Sequence, residues 1–155
     1  MPRTVNLHSN IAAFLDMLAF SEGTVKFGND DGYNVIVGGT LFKDYSKHPN
    51  ISVKLPKLGI FSTAAGRYQL LGRYWVPYKM LLRLNDFSPI SQDAIAIRMI
   101  REQKAYADIV EGRFSEAISK CHNIWASLPG AGYGQHEHSL GRLLAEYLRC
   151  GGFCA

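Results

Sequence analysis

From Thr63 almost to its C-terminus, the chain repeats apolar residues at helical spacing, and this long tract limits what it can fold into. Tyr68, Leu71, Trp75 and Leu82 form part of one stripe, and Pro77 is expected to kink or split that helix. Ser88-Pro89 signals a helix start, with Ser as N-cap and Pro at the first helical position. Ile95, Met99 and Ile100 give the buried face that follows, and Ala117, Ile118, Cys121, Ile124 and Trp125 continue it. A glycine-rich loop from Pro129 to Gly134 interrupts the pattern. A last amphipathic helix is expected from about Ser139 to Arg149.

The front of the chain reads differently. Ile11, Phe14, Leu15 and Leu18 recur at helical spacing; Ser9 or Asn10 can cap the start, and Gly23 can end the helix. Glu22 thus falls at the C-terminal end of an amphipathic helix. After a Gly- and Asp-rich turn from Gly28 to Gly32, Tyr33 to Val37 reads as a strand. Gly38-Gly39 is a hairpin signal, and Leu41-Phe42 begins the return strand. From Tyr45 to Ser62 the chain reads as loop, broken by Pro49, Pro56 and Gly59; loops this long are more often functional. The expected fold class is α+β, mostly helical with a small antiparallel hairpin or sheet near the N-terminal third. No repeat, linker or low-complexity tract divides residues 1–155, so one domain is expected.

Bulk chemistry excludes several classes. Hydrophobic residues make up 47% and charged residues 19%, which argues against disorder. The net charge of +4 suits solubility and also a polyanionic partner such as a bacterial envelope. Lys and Arg are scattered, so no nucleic-acid partner is called. Three cysteines, an odd count, argue against a disulfide framework, although Cys150 and Cys154 are close enough in sequence to pair if oxidised. His122, His136 and His138 do not combine with the cysteines into a standard zinc spacing, so no metal or other cofactor is called. The Gly130–Gly134 run lacks the Gly-Lys-Ser/Thr of a phosphate loop. No stretch is long and apolar enough for a membrane span, and the start Met-Pro-Arg-Thr-Val-Asn lacks the apolar run of a secretory signal. A cytoplasmic protein is expected.

Glu22 is the residue with the most specific chemistry. Glycoside cleavage needs an acid that keeps its proton near neutral pH, and apolar surroundings supply that by raising the carboxyl pKa. Ala19 and Phe20 precede Glu22, and the hairpin that follows can form one wall of a cleft. The plainer reading is a solvated Glu at a helix end.

The segment from Ala13 to Thr24, with Ser21-Glu22-Gly23-Thr24 at its end, resembles the lambda-type phage endolysins. So do Gly32 to Gly39, Phe42 to Pro49, Ala65 to Leu71, Asp86 to Pro89 and, most specifically, Asn123 to Gln135. These blocks stand in order over nearly the whole chain. The resemblance implies a lysozyme-like fold and a lytic transglycosylase that cleaves the β-1,4 bond between N-acetylmuramic acid and N-acetylglucosamine. It implies Glu22 as the catalytic residue, first acid and then base. The substrate's own C6 hydroxyl would attack C1 and leave a 1,6-anhydro sugar. The family's usual Gly-Tyr-Asp reads Gly32-Tyr33-Asn34 here, and the loop between Thr24 and Gly32 is shorter than in the family's namesake.

By the same resemblance Gln69 is a candidate to bond a sugar acetamido group; a surface position on a helix is its plainer reading. Tyr133 can stack on sugar or pack on the core. Asn123 can line the cleft floor or cap a helix end. Tyr68 and Trp75 read as core. The loops Tyr45–Ser62 and Pro129–Gln135 are candidate lips of the cleft. Two rival functions stay open. One is a hydrolase that pairs Glu22 with a second carboxylate, Asp31 nine residues on or else Asp30 or Asp44, where Asp30-Asp31 beside Gly is also ordinary turn chemistry. The other is a non-catalytic glycan-binding lysis protein on the same fold. The expected partners are peptidoglycan strands and a holin-type membrane protein that lets a monomeric enzyme leave the host cytoplasm for the cell wall.

Overall fold

Helix α1 (Ser9–Glu22) is buried along nearly its whole length, and the other helices pack around it. The structure is a computed structural model that describes residues 1–27, 30–132 and 136–155. The sequence suggested an amphipathic α1, but Ala13, Met17 and Ala19 are as fully buried as Ile11, Phe14, Leu15 and Leu18. A helix apolar on all sides is a core helix. Its N-cap is His8, whose Nδ1 accepts from Asn10 N at 3.1 Å, and not Ser9 or Asn10. Asn10 is buried instead. Its Nδ2 donates to Ile109 O and its Oδ1 accepts from Phe153 N, each at 2.9 Å. One side chain thereby ties α1 to the C-terminal segment and to α4 (Tyr106–Val110).

The sheet among the described residues is a two-stranded antiparallel hairpin, β1 (Val53–Leu55) with β2 (Ile60–Ser62), in register Val53↔Ser62. It falls inside the stretch read as loop. Each strand is only three residues long, and Pro56 and Gly59 belong to the turn that joins them. The expected hairpin at Tyr33–Phe42 does reverse, with Gly38 and Gly39 at φ 92° and 104°. Its ladder is a single bridge, Val35↔Leu41, because Ile36 pairs with Ala65 instead. The α+β class with a small sheet holds, and the sheet proper moves to 53–62.

The helical tract starts later than Thr63. Gly66 and Gln69 have left-handed φ of 86° and 54°, which no helix accommodates, and Ala65 bridges Leu70. A 3₁₀ turn at Gly72–Tyr74 leads into α2 (Trp75–Leu82). Pro77 lies in the first turn of α2, where its missing N–H has no helical partner to lose, so it neither kinks nor splits the helix. Ser88 caps α3 (Pro89–Glu102) as expected, and α5 (Phe114–Cys121) carries the Ala117, Ile118, Cys121 face. Ser139 caps α6 (Leu140–Arg149), which packs on α1. Trp75 joins Ile36, Phe42, Leu70, Phe87 and Ile95 in a second core beneath the reversing segment.

Candidate active site

Helix α1 ends at Glu22 because Gly23 turns left-handed, at φ 76°. Gly23 N donates to Phe20 O, and Thr24 N reaches back to Ala19 O at 3.1 Å, which closes the helix end with a glycine cap. The buried Thr24 then donates through Oγ1 to Arg67 O at 2.8 Å. These bonds fix the helix end against the 64–71 segment and hold Glu22 at the rim of an open cavity.

That cavity measures about 490 Å³. Glu22, Thr24 and Lys26 line it on one side, and Val35 to Gly39 on another. Leu55 and Ser62 reach in from the β1–β2 hairpin, Gln69 from the left-handed turn, and Ile124 to Ala126 from the segment after α5. Glu22 is the one carboxylate among the described residues of this lining.

Burial pushes the Glu22 carboxyl up from its ordinary 4.5 to about 7, and a hydrogen bond from Ser127 opposes that rise. Ser127 Oγ donates to Glu22 Oε1 at 3.2 Å and lies 2.7 Å from Ser21 Oγ. The C-terminal end of α1 also disfavours a negative charge. A carboxyl that is half-protonated at neutral pH can both give and take a proton.

Gln69 lines the cavity but not from a helix. Its Nε2 donates to Gly66 O at 2.9 Å and Val35 O at 3.2 Å, which leaves Oε1 as the end able to accept from a ligand N–H. Asn123 is exposed, and its Nδ2 donates to Gln103 at 2.9 Å; its successors Ile124 to Ala126 line the cavity instead. The expectation that Asn123 forms the cleft floor does not match this placement, since the side chain is turned to α3's end. Tyr133 lies outside the described residues, as do 134 and 135 of the expected second lip. From that lip, Gly130 N and Gly132 N donate to the Glu137 carboxylate at 3.0 and 2.9 Å. The expected first lip contributes Leu55 and Ser62.

Asp30 and Asp31 are engaged away from the cavity. Asp31 Oδ2 takes a 2.9 Å bond from the Met1 α-amino group, and its backbone carbonyl accepts from Arg67 Nε. Asp30 is bound by Arg3 at 2.6 Å and by the Tyr45 hydroxyl. Tyr68 is core, as expected: it is buried, and its hydroxyl donates to Asp93 at 2.7 Å. All three cysteines are free thiols.

Sequence reasoning missed Ser127, Thr24 and Lys26 as neighbours of Glu22. Ser127 stands inside the Asn123–Gln135 block, and a hydroxyl in that block was the available signal. Trp125, read as core, is both core and cavity wall, with its indole N–H donating to Tyr68 O at 3.0 Å.

A helix-rich α+β fold, with a carboxyl held over an open cleft by the end of its buried central helix, defines a lysozyme-like protein. The chain belongs to the endolysin family, whose model matches residues 12–154. It is 52% identical to the endolysin of Escherichia phage P2 over 159 residues, covering 96% of each chain. It is 53% identical to the endolysin of Escherichia phage lambda over 152 residues, covering 96% of this chain and 95% of that one. The fold is similar to that of bacteriophage lambda lysozyme complexed with a chitohexasaccharide, with a TM-score of 0.92 and 51% identity over 98% of this chain and 100% of that one.

Proposed function

We propose that this protein cleaves the glycan strands of peptidoglycan as a lytic transglycosylase, with residues 1–155 acting as one catalytic domain and Glu22 as its acid and base. The carrying observation is the Glu22 carboxyl, with its pKa raised to about 7, as the one carboxylate among the described residues of the cavity. Protonated Glu22 gives its proton to the glycosidic oxygen, and the C1–O bond breaks. The resulting carboxylate takes the proton of the muramic acid C6 hydroxyl as that oxygen bonds to C1. One proton is given and one taken, and the product is a 1,6-anhydro ring. The positions of Asp30 and Asp31, both tied to cations outside the cavity, support a mechanism that asks for no second carboxylate.

Gln69 would accept a hydrogen bond from a sugar acetamido group through Oε1, and Tyr133 remains a proposed sugar contact. The relatives support the substrate class: two are phage endolysins, and the lambda lysozyme is complexed with a chitohexasaccharide. No helix among the described residues is long and apolar enough to cross a membrane. In this reading a holin-type membrane protein opens the inner membrane so that the enzyme reaches the wall.

Mass spectrometry of wall digests tests the proposal. The expected products end in 1,6-anhydro-muramic acid. New reducing ends would establish hydrolysis in its place, and no cleavage at all would leave a glycan-binding protein.

A further inference from the structure

Glu22 and Lys26 border a second cavity, of about 440 Å³, beside the cleft. Its other walls include Phe20, Ser127, His136, His138 and Arg142. The chemistry of this lining differs from that of the cleft. Lys26 and Arg142 bring two fixed cations to this wall, and among the described residues neither has a salt-bridge partner. The Arg142 guanidinium lies over the Phe20 ring, 5.5 Å from its centroid, which holds the charge at the cavity wall. His138 packs on the same ring at 5.4 Å, and its Nε2 lies 3.2 Å from Ser21 O. A carbonyl only accepts, so that nitrogen carries the proton. Burial keeps the His138 pKa below its ordinary value, so the lasting positive charge here belongs to Lys26 and Arg142.

We propose that this cavity is a carboxylate-binding subsite, and that its ligand is the peptide stem borne by muramic acid. The inference rests on the glycan-cleaving reading above. The acetamido sugars of the backbone are neutral, and the negative charge of the polymer sits on the lactyl-linked peptides. The sugar whose C1 reaches Glu22 is the one that carries such a stem. A guanidinium that shares a cavity wall with Glu22 therefore meets the substrate's carboxylates, which it can bind with two parallel hydrogen bonds. The site would give preference for peptide-bearing strands over bare ones.

The test is a binding measurement in Glu22→Gln protein, so that nothing is turned over. Three probes are compared: soluble peptide-bearing glycan oligomers, the same oligomers stripped of peptide by an amidase, and a chitin hexamer. Arg142→Gln should weaken binding of the peptide-bearing probe by about tenfold or more, as expected for a lost charge-assisted pair. Arg142→Lys should restore part of it, added salt should erode the preference, and chitin binding should not change. If the stripped oligomer, with its free lactyl carboxylate, suffers the same loss, the lactyl group is the ligand and the peptide-stem proposal is overturned. Equal affinity of Arg142→Gln and its parent for all three probes, or an equal loss on chitin, overturns the proposal. Circular dichroism checks the fold of each variant. Failure of the functional reading would appear elsewhere, as wall lysis by the Glu22→Gln protein.

Discussion

Ser127 donates its hydroxyl proton to Glu22 at 3.2 Å although 105 residues separate the two in sequence. This bond stabilises the ionised carboxylate and so pulls the Glu22 pKa down against the rise caused by burial. Ser127→Ala removes the downward pull. The Glu22 pKa should then rise above about 7. If the protonated carboxyl is the working acid, the alkaline limb of the pH profile of wall lysis moves to higher pH. A limb that stays in place or moves down would separate Ser127 from the titration of Glu22.

The same carboxyl links pH to stability. It ionises near 4.5 when unfolded and near 7 when folded, so the folded state binds the extra proton between those values. Stability therefore falls as pH rises from about 4.5 to 7 and then levels off. Gln at this position does not titrate. Glu22→Gln should match the parent's stability at pH 4 and exceed it by about 2 kcal/mol at pH 8, after allowing for the partial exposure of the side chain. It should also lose wall lysis by ~10²–10⁴-fold. Urea titrations at the two pH values check the first claim. A variant less stable than its parent at pH 8 would mean that the carboxylate form is favoured in the fold.

What the sequence made legible follows the reach of each signal. The end of α1 at Gly23 and the Ser88-Pro89 start are local, each written in two or three adjacent residues, and both stand in the structure, as does a last helix beginning near Ser139. The β1–β2 hairpin was invisible because three-residue strands carry too little alternation to rise above their Pro and Gly neighbours. Tyr33–Val37 carried a strand's composition, but Ile36 found Ala65 as its partner, a choice made by tertiary packing. Glu22 stood out because it ends an apolar helix inside a family motif. Ser127 lay in a family block that did not reveal its partner, and Arg142 carried no mark at all; only the folded chain brings these two to one cavity wall with Glu22.

Gly66 supports the cleft from below. Its φ of 86° is left-handed, and a Cβ there would stand 2.4 Å from Gln92 Oε1. Gln92 cannot retreat, because it is buried, its oxygen accepts from Arg67 N and its amide donates to Tyr33 O and Phe87 O. Gly66→Ala should destabilise the protein by about 2–4 kcal/mol, from backbone strain and overpacking together. The Gly66 carbonyl also holds Gln69 Nε2, so the surviving folded fraction should bind chitin oligomers more weakly. Denaturant midpoints and oligomer titrations measure the two effects. A variant with unchanged stability would show that the turn can relax.

Asp31 separates the two chemistries that a Glu22 enzyme can run. In a hydrolase with a paired carboxylate, Asp31 would hold the water or the glycosyl cation, and its loss would cost orders of magnitude in rate. Here its carboxylate sits 2.9 Å from the Met1 amine and 3.9 Å from Arg67 Nη2, and it is not part of the cavity wall. Asn at this position keeps the shape and the left-handed backbone, at φ 56°, that Asp and Asn both tolerate. What Asp31→Asn loses is two partly exposed ion pairs, each worth about 0–1 kcal/mol of stability. Because Asp31 is not part of the cavity wall, its loss should change the activation barrier by less than about 0.6 kcal/mol, and the variant's wall-lysis rate should stay within about threefold of the parent. Its products should keep 1,6-anhydro ends. A folded Asp31→Asn protein that is inactive, while the parent makes reducing ends, would transfer the second role to Asp31 and make the enzyme a hydrolase.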